Sequence, residues 1–231
     1  MYKINTLHLI DGAKQAEGLT VIIDVFRAFS LECYLYDMGV KEIRPVGTIE
    51  EAFSLRSCIQ ESLLIGERRG IKCDGFDYGN SPSGISKEHV KGRTIIHTTS
   101  AGTQGIVNAA GASEIITGSL VNAKAVAKYI MEQQPEMVSL VCMGNGGVKL
   151  AAEDELCAEY IRSILEGNVI SDFRQRVDGL RDNGGKHFFD QTSQHIFPEA
   201  DYWMCVEYDR FPFVIKIDKD EFGFIACKIE I

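Results

Sequence analysis

Four apolar runs each end in a cluster of residues able to do chemistry. Val21-Ile22-Ile23 leads into Asp24-Val25-Phe26-Arg27, and Leu63-Leu64-Ile65 leads into Gly66-Glu67-Arg68-Arg69. Thr94-Ile95-Ile96 leads into His97-Thr98-Thr99-Ser100-Ala101-Gly102-Thr103. The run Val138 to Met143 leads into Gly144-Asn145-Gly146-Gly147, with Glu153-Asp154-Glu155 shortly after. In a parallel sheet, ligands bind outside the carboxyl ends of the strands, so these clusters would collect along one edge. Carboxylates there can hold a hard divalent cation, guanidinium groups grip anions two-pronged, and backbone amides at a helix start add partial positive charge. The chemistry implied is a metal-assisted reaction on an anionic substrate.

Each cluster also has a plainer role. Asp24 closes an apolar strand, where a carboxylate needs a partner, and either Arg27 or a cation supplies one. Glu67 and Arg68 suit a surface ion pair, Thr99 or Ser100 an ordinary helix N-cap, and Glu153-Asp154-Glu155 the favourable end of a helix dipole. His97 fits a packed, hydrogen-bonded histidine better than a general acid or base. Phe76-Asp77-Tyr78-Gly79-Asn80-Ser81-Pro82 reads either as a rigid loop or as a place of close approach to a ligand. Cys142 lacks an activating neighbour in sequence and is disfavoured as a nucleophile. Phe26 occupies the position where a haloacid-dehalogenase phosphatase needs a second aspartate, and no nucleotide P-loop is present.

The elements that must position these residues alternate between strand and helix. Lys3–Ile10 reads as an edge strand and Asp11-Gly12 as a turn. Thr20–Val25 is a strand and Ala28–Met38 a helix; Glu42–Val46 is a strand, followed by a helix to Glu61 with Thr48 and Glu51 forming a capping box. The Leu63 strand, a short helix at 83–89, the Thr94–Thr98 strand and a helix at 103–109 come next. Strand 114–117, helix 122–133, the Val138 strand and helix 151–165 complete the series. Beyond Gly167 a polar helix at 172–181 and strands at Val206, Phe213–Ile217 and Phe222–Ile229 are expected. The fold class is α/β: a three-layer α/β/α sandwich with a mainly parallel, mixed sheet and a β-rich C-terminal extension. We expect one domain over 1–231, with its core at about 20–166 and the extension at 167–231.

The bulk numbers narrow the partners. A formal charge of −9 over 231 residues, with no block of lysine or arginine, argues against nucleic acid. No apolar run approaches the roughly 20 residues that span a bilayer, and the N-terminus lacks a signal-peptide layout, so no membrane and a cytoplasmic location are expected. Seven cysteines without a Cys-x-x-Cys suggest neither a disulfide framework nor a structural zinc site. A homo-oligomer is the general prior for such a chain.

Taken in order, Ile-Asp-Val-Phe-Arg-Ala, Gly-Glu-Arg, Gly-Phe-Asp-Tyr-Gly-Asn-Ser-Pro, Thr-Thr-Ser-Ala-Gly-Thr, Gly-Ser-Leu-Val-Asn-Ala and Glu-Asp resemble the 2-phosphosulfolactate phosphatase family over about residues 21–165. The resemblance implies a Mg²⁺-dependent phosphatase that converts 2-phospho-3-sulfolactate to 3-sulfolactate and phosphate, a step toward coenzyme M. By motif match it carries over Asp24, Arg27, Glu67, Arg68, Asn80, Ser81, Thr99, Gly102, Thr103, Asn122, Glu153 and Asp154. Phe26 and Phe29-Ser30 depart from the family's Leu and Thr-Thr, and Ala101 from its Asn. We expect Asp24, Glu67, Glu153 and Asp154 to hold the metal, with Asp24, Glu67 and Arg68 catalytic. Arg27, Asn80, Ser81, Thr99, Gly102, Thr103 and Asn122 are expected to bind the small phosphorylated anion. Two other readings use the same residues: a phosphatase for another 2-phospho acid, and a non-catalytic sensor of a phosphorylated or sulfonated acid.

Overall fold

The computed structural model describes residues 3–231, so the first two residues of the expected 1–231 domain lie outside it. The chain opens with β1 (Lys3–His8), α1 (Leu9–Lys14), β2 (Gly18–Ile23), α2 (Ala28–Met38), β3 (Glu42–Pro45) and α3 (Ile49–Cys58). It continues through β4 (Leu63–Arg68), β5 (Ile71–Lys72), α4 (Lys87–Val90), β6 (Thr94–Thr98), α5 (Gly102–Asn108) and β7 (Ala112–Gly118). Next come α6 (Ala123–Gln133), β8 (Met137–Cys142), α7 (Ala152–Leu165) and α8 (Phe173–Gly179). The chain closes with α9 (Glu199–Val206), β9 (Phe213–Asp220) and β10 (Gly223–Glu230).

The strands lie in the order β1-β8-β2-β7-β9-β10-β3-β6-β4-β5. Two parallel blocks, β1-β8-β2-β7 and β3-β6-β4, are joined by the antiparallel hairpin β9–β10. The C-terminal extension therefore ends in the middle of the sheet, where it pairs with β7 on one side and β3 on the other. Sheet twist of about 20–25° per strand accumulates over the four steps from β2 to β3, turning the second block well away from the first. The strand ends of both blocks meet where α5 begins, against Asp24 and Ala28.

Alternation along the strands explains the three layers. In β2, Leu19, Val21 and Ile23 pack with α6 and α7, while Ile22 faces the opposite core of α1, α2 and α5. In β4, Leu63 and Ile65 join the α2 side, and Leu64 faces Ala52 and Leu55 of α3. Strand side chains point alternately to opposite faces, so only a strand covered on both sides can be apolar throughout.

Three local expectations change. Asp11-Gly12 lies inside α1 rather than in a turn, because a bare Gly12 lets the helix settle on β1: a Cβ there would sit 3.0 Å from the Leu7 carbonyl carbon. The Leu63 strand runs on through Glu67 and Arg68, paired to β5 across a two-residue turn in which Arg69 and Gly70 both have positive φ, the turn matched to strand twist. Val206 ends a helix, not a strand. Pro198 at the N-cap, Glu199 and Asp201 in the first turn, and Tyr202 and Cys205 buried at helical spacing favour α9. No helix among the described residues is long and apolar enough to cross a membrane.

Candidate active site

A cleft of about 1510 Å³ opens where the two blocks meet. Of the expected residues, Asp24, Arg27, Glu67, Arg68, Asn80, Thr99, Glu153 and Asp154 line it. Three acids form its floor. Asp24 is 6%, Glu153 7% and Asp154 2% exposed, and burial drives the carboxyls of all three upward. Asp24 is pushed up to about 7, first by burial and then by the charge of Glu67, against the opposing pull of the Ala28 and Gly102 amides. Glu153 is likewise pushed up to about 7, by burial and by Asp24. Asp154 lies well above the usual carboxylate range, again through burial and the charges of Asp24 and Glu153.

The polar contacts show which of these acids is already satisfied. Asp154 receives Val25 N at 2.8 Å and Gly144 N at 2.7 Å, tying the ends of β2 and β8 to the start of α7. Asp24 accepts from Ala28 N at 3.2 Å. Gly102 must be glycine for this approach, since a Cβ there would lie 2.9 Å from Asp24 Oδ2 and 2.8 Å from the Ala28 Cβ. Glu153 Oε2, by contrast, is buried with no hydrogen-bond partner among the described residues. An orphaned carboxylate oxygen beside two more buried acids is the donor set a hard divalent cation would complete.

The Thr-Thr-Ser loop does something other than offer free amides to an anion. Glu67 takes Ser100 N at 2.7 Å and Gly70 N at 2.6 Å. Thr99 and Thr103 cap each other, Thr99 N to Thr103 Oγ1 at 2.8 Å and Thr103 N to Thr99 Oγ1 at 3.1 Å. The amides of Thr99, Ser100 and Thr103 are thus occupied by side chains of the protein itself, one of them an acid of the cleft.

Both arginines are held from behind. Arg68 Nη1 donates to the Glu67 carbonyl at 2.7 Å, and Nη2 to Thr98 Oγ1 at 2.9 Å and the Gly47 carbonyl at 3.3 Å. Arg27 does not pair with Asp24. Its Nη1 donates to Asp201 at 2.7 Å and to the Ile196 carbonyl at 2.9 Å, and its guanidinium lies over the Phe197 ring at 4.9 Å. Among the described residues, Nε and Nη2 of Arg27 have no protein acceptor. Asp201 is wholly buried and also accepts from Ser81 Oγ, Ser83 N and Ser83 Oγ. Ser81 therefore holds the acid that holds Arg27, and it is not on the cleft wall.

Asn122 is also away from the cleft: it closes a turn with Ser119 N at 3.0 Å and reaches the Phe213 carbonyl at 3.5 Å. Asn80 meets His97 Nε2 at 3.2 Å, and His97 Nδ1 meets Glu32 at 2.8 Å, so His97 is the packed, hydrogen-bonded histidine expected. His187 and Lys149 are among the cleft-wall residues that came from no motif. His187 has a pKa lowered by burial and by Arg27, and Lys149 adds a cation at the glycine loop. Asp201 was missed as well; the Pro198-Glu199-Asp201 helix start could have flagged the helix but not its partner.

An α/β protein whose strand ends surround an arginine-flanked, acid-floored cleft has the architecture of an enzyme for small anions. The model of the 2-phosphosulpholactate phosphatase family matches residues 4–218, and the chain belongs to that family. Its relatives include proteins named "probable 2-phosphosulfolactate phosphatase". One from Caldicellulosiruptor saccharolyticus is 40% identical over 156 residues, covering 66% of this chain and 64% of the relative. One from Carboxydothermus hydrogenoformans is 40% identical over 164 residues, 71% of this chain and 67% of the relative. One from Bacillus subtilis is 28% identical over 204 residues, 87% of this chain and 88% of the relative. The chain thus spans somewhat under two thirds of the length of the first of these relatives.

Proposed function

We propose that this chain hydrolyses a phosphomonoester in the cleft with the help of Mg²⁺, and that its substrate is 2-phospho-3-sulfolactate, released as 3-sulfolactate and phosphate. The observation that carries the reading is the set of buried, mutually repelling acids, with Glu153 Oε2 left without a donor. Such a set is costly unless protonated or bridged by a cation, and its all-oxygen chemistry suits a hard ion. Family membership supports the reaction class, and the relatives' names support the substrate.

Asp24, Glu153 and Asp154 would hold the ion, with Glu67 adding negative charge beside Asp24. Bound there, Mg²⁺ supplies Lewis-acid polarisation of a phosphoryl oxygen and charge neutralisation. Arg27, fixed by Asp201 and stacked on Phe197, offers Nε and Nη2 to the substrate's anionic groups. Arg68, fixed by carbonyls and Thr98, and Lys149 add positive charge for the remaining anions. Water attacks phosphorus as the ester P–O bond breaks, and the leaving alkoxide takes up a proton from solvent. His187, kept neutral by burial and by Arg27, can accept the proton that the water loses. Phosphoryl transfer needs mainly positioning and charge stabilisation, which these groups provide.

A panel of 2-phospho acids, assayed for phosphate release with Mg²⁺ and with EDTA, tests the reading. Phosphosulfolactate should be turned over best, and only with the metal. Preference for another 2-phospho acid would reassign the substrate, and thermal stabilisation by these ligands without turnover of any would mark a sensor.

A further inference from the structure

The start of α7 carries a second group of metal-ligand residue types, outside the cleft. His8 ends β1 and Cys142 ends β8, and the two are directly opposite in the parallel pairing, so their side chains leave the same face of the sheet. Glu155, in the first turn of α7, lies over them, with His8 Nε2 3.1 Å from Oε1 and 3.2 Å from Oε2. One ligand atom from each of His8, Cys142 and Glu155 lies within 4.8 Å of the other two. The His8 ring nitrogen bonds Oε2 and lies against Oε1, which makes no hydrogen bond of its own, and the Cys142 thiol donates to the Asp154 carbonyl at 3.5 Å. A thiol, an imidazole and an under-satisfied carboxylate therefore converge on one point.

We propose that His8 Nε2, Cys142 Sγ and a Glu155 carboxylate oxygen form a second metal site, specific for a borderline divalent ion of the zinc type. Tetrahedral coordination at ordinary metal–nitrogen, metal–sulfur and metal–oxygen lengths places donor atoms roughly 3.3–3.8 Å apart. The present spread closes to that by small rotations of His8 and Glu155, whose side chains are 41% and 39% exposed. Binding moves the Cys142 thiol proton to solvent and forms the metal–sulfur bond. A thiolate and a carboxylate then balance the two positive charges, the imidazole stays neutral, and a water completes the tetrahedron. Soft sulfur and imidazole here, against oxygen donors alone in the cleft, would sort the two kinds of ion between two sites. The plainer account, a His8–Glu155 ion pair over a packed thiol, requires no metal at all.

Co²⁺ is the probe, added to the full chain in excess Mg²⁺ so that oxygen-donor sites are filled. One equivalent should bind with a sulfur-to-cobalt charge-transfer band in the near ultraviolet and tetrahedral bands in the visible, all bleached by Zn²⁺. Cys142→Ser should abolish the charge-transfer band. Because Cys142 is buried and its variant can fail to fold, His8→Gln and Glu155→Gln provide the second arm. Each should weaken Co²⁺ binding by more than the roughly 10- to 100-fold that losing an outer partner costs. Absence of the charge-transfer band in the unaltered chain overturns the proposal. So does a band that survives His8→Gln unchanged, which would leave the imidazole outside the coordination sphere. The readout is optical and does not depend on turnover, so it stands or falls apart from the phosphatase reading.

Discussion

Removing the cation should make stability fall with rising pH, because the cleft acids bind protons more tightly folded than unfolded. Asp24 has an ordinary carboxyl value of 3.8 and is pushed up to about 7 in the fold. That separation of about three units corresponds to roughly 4 kcal/mol for this group taken alone. Glu153, raised from 4.5 to about 7, adds a similar but smaller effect, and the two do not add fully because they interact. The sign follows from the raised values: the stabilisation is complete below the unfolded values and is lost as pH rises through about 7. A bound cation replaces the proton. Urea unfolding in EDTA and in Mg²⁺, from about pH 5 to pH 8, should therefore give curves that nearly coincide at the acid end and separate by several kcal/mol at the alkaline end. Coincident curves across the whole range would refute the reasoning, since the acids would then be stabilised by something other than an ion.

Other substitutions probe single supports of the cleft. Glu67→Gln should cost about 1–3 kcal/mol of stability, because its new amide would face the Ser100 or Gly70 N–H; it should also lower turnover about 10- to 100-fold, measured by urea melts beside phosphate release. Arg27→Lys should raise KM and lower kcat/KM by about 10-fold or more, since lysine cannot hold Asp201 and a substrate anion together; steady-state kinetics check it. Gly102→Ala should cost about 1–3 kcal/mol by overpacking against Ala28 and should displace Asp24, so that the melting temperature and Mg²⁺ affinity fall together.

The parts of the fold readable in advance are those written locally. Helix α2 occupies the range its composition suggests, and α3 begins at the Thr48–Glu51 capping box. The apolar runs of β2, β4, β6 and β8 were recognisable because strands buried on both faces carry no polar alternation. What was hidden depends on distant pairing. Nothing near Phe213 indicates that its hairpin divides the sheet, and nothing near Arg27 indicates Asp201, which lies 174 residues away. The motif Asn80-Ser81 was visible, but only the fold separates Asn80, on the cleft wall, from Ser81, turned toward Asp201. Asn122 illustrates the same limit: an amide within a motif proves to be a turn-closing residue. The acids of α7 had an adequate explanation in the helix dipole, and only their burial beside Asp24 gives them a further role.

The most direct test of the central claim is to locate the ion. Crystals soaked in Mn²⁺, an oxygen-seeking substitute for Mg²⁺ with an anomalous signal, should show a peak within coordination distance of Asp24 and Glu153 at the floor of the cleft. A peak elsewhere, or none at this site while substrate is turned over, would contradict the account.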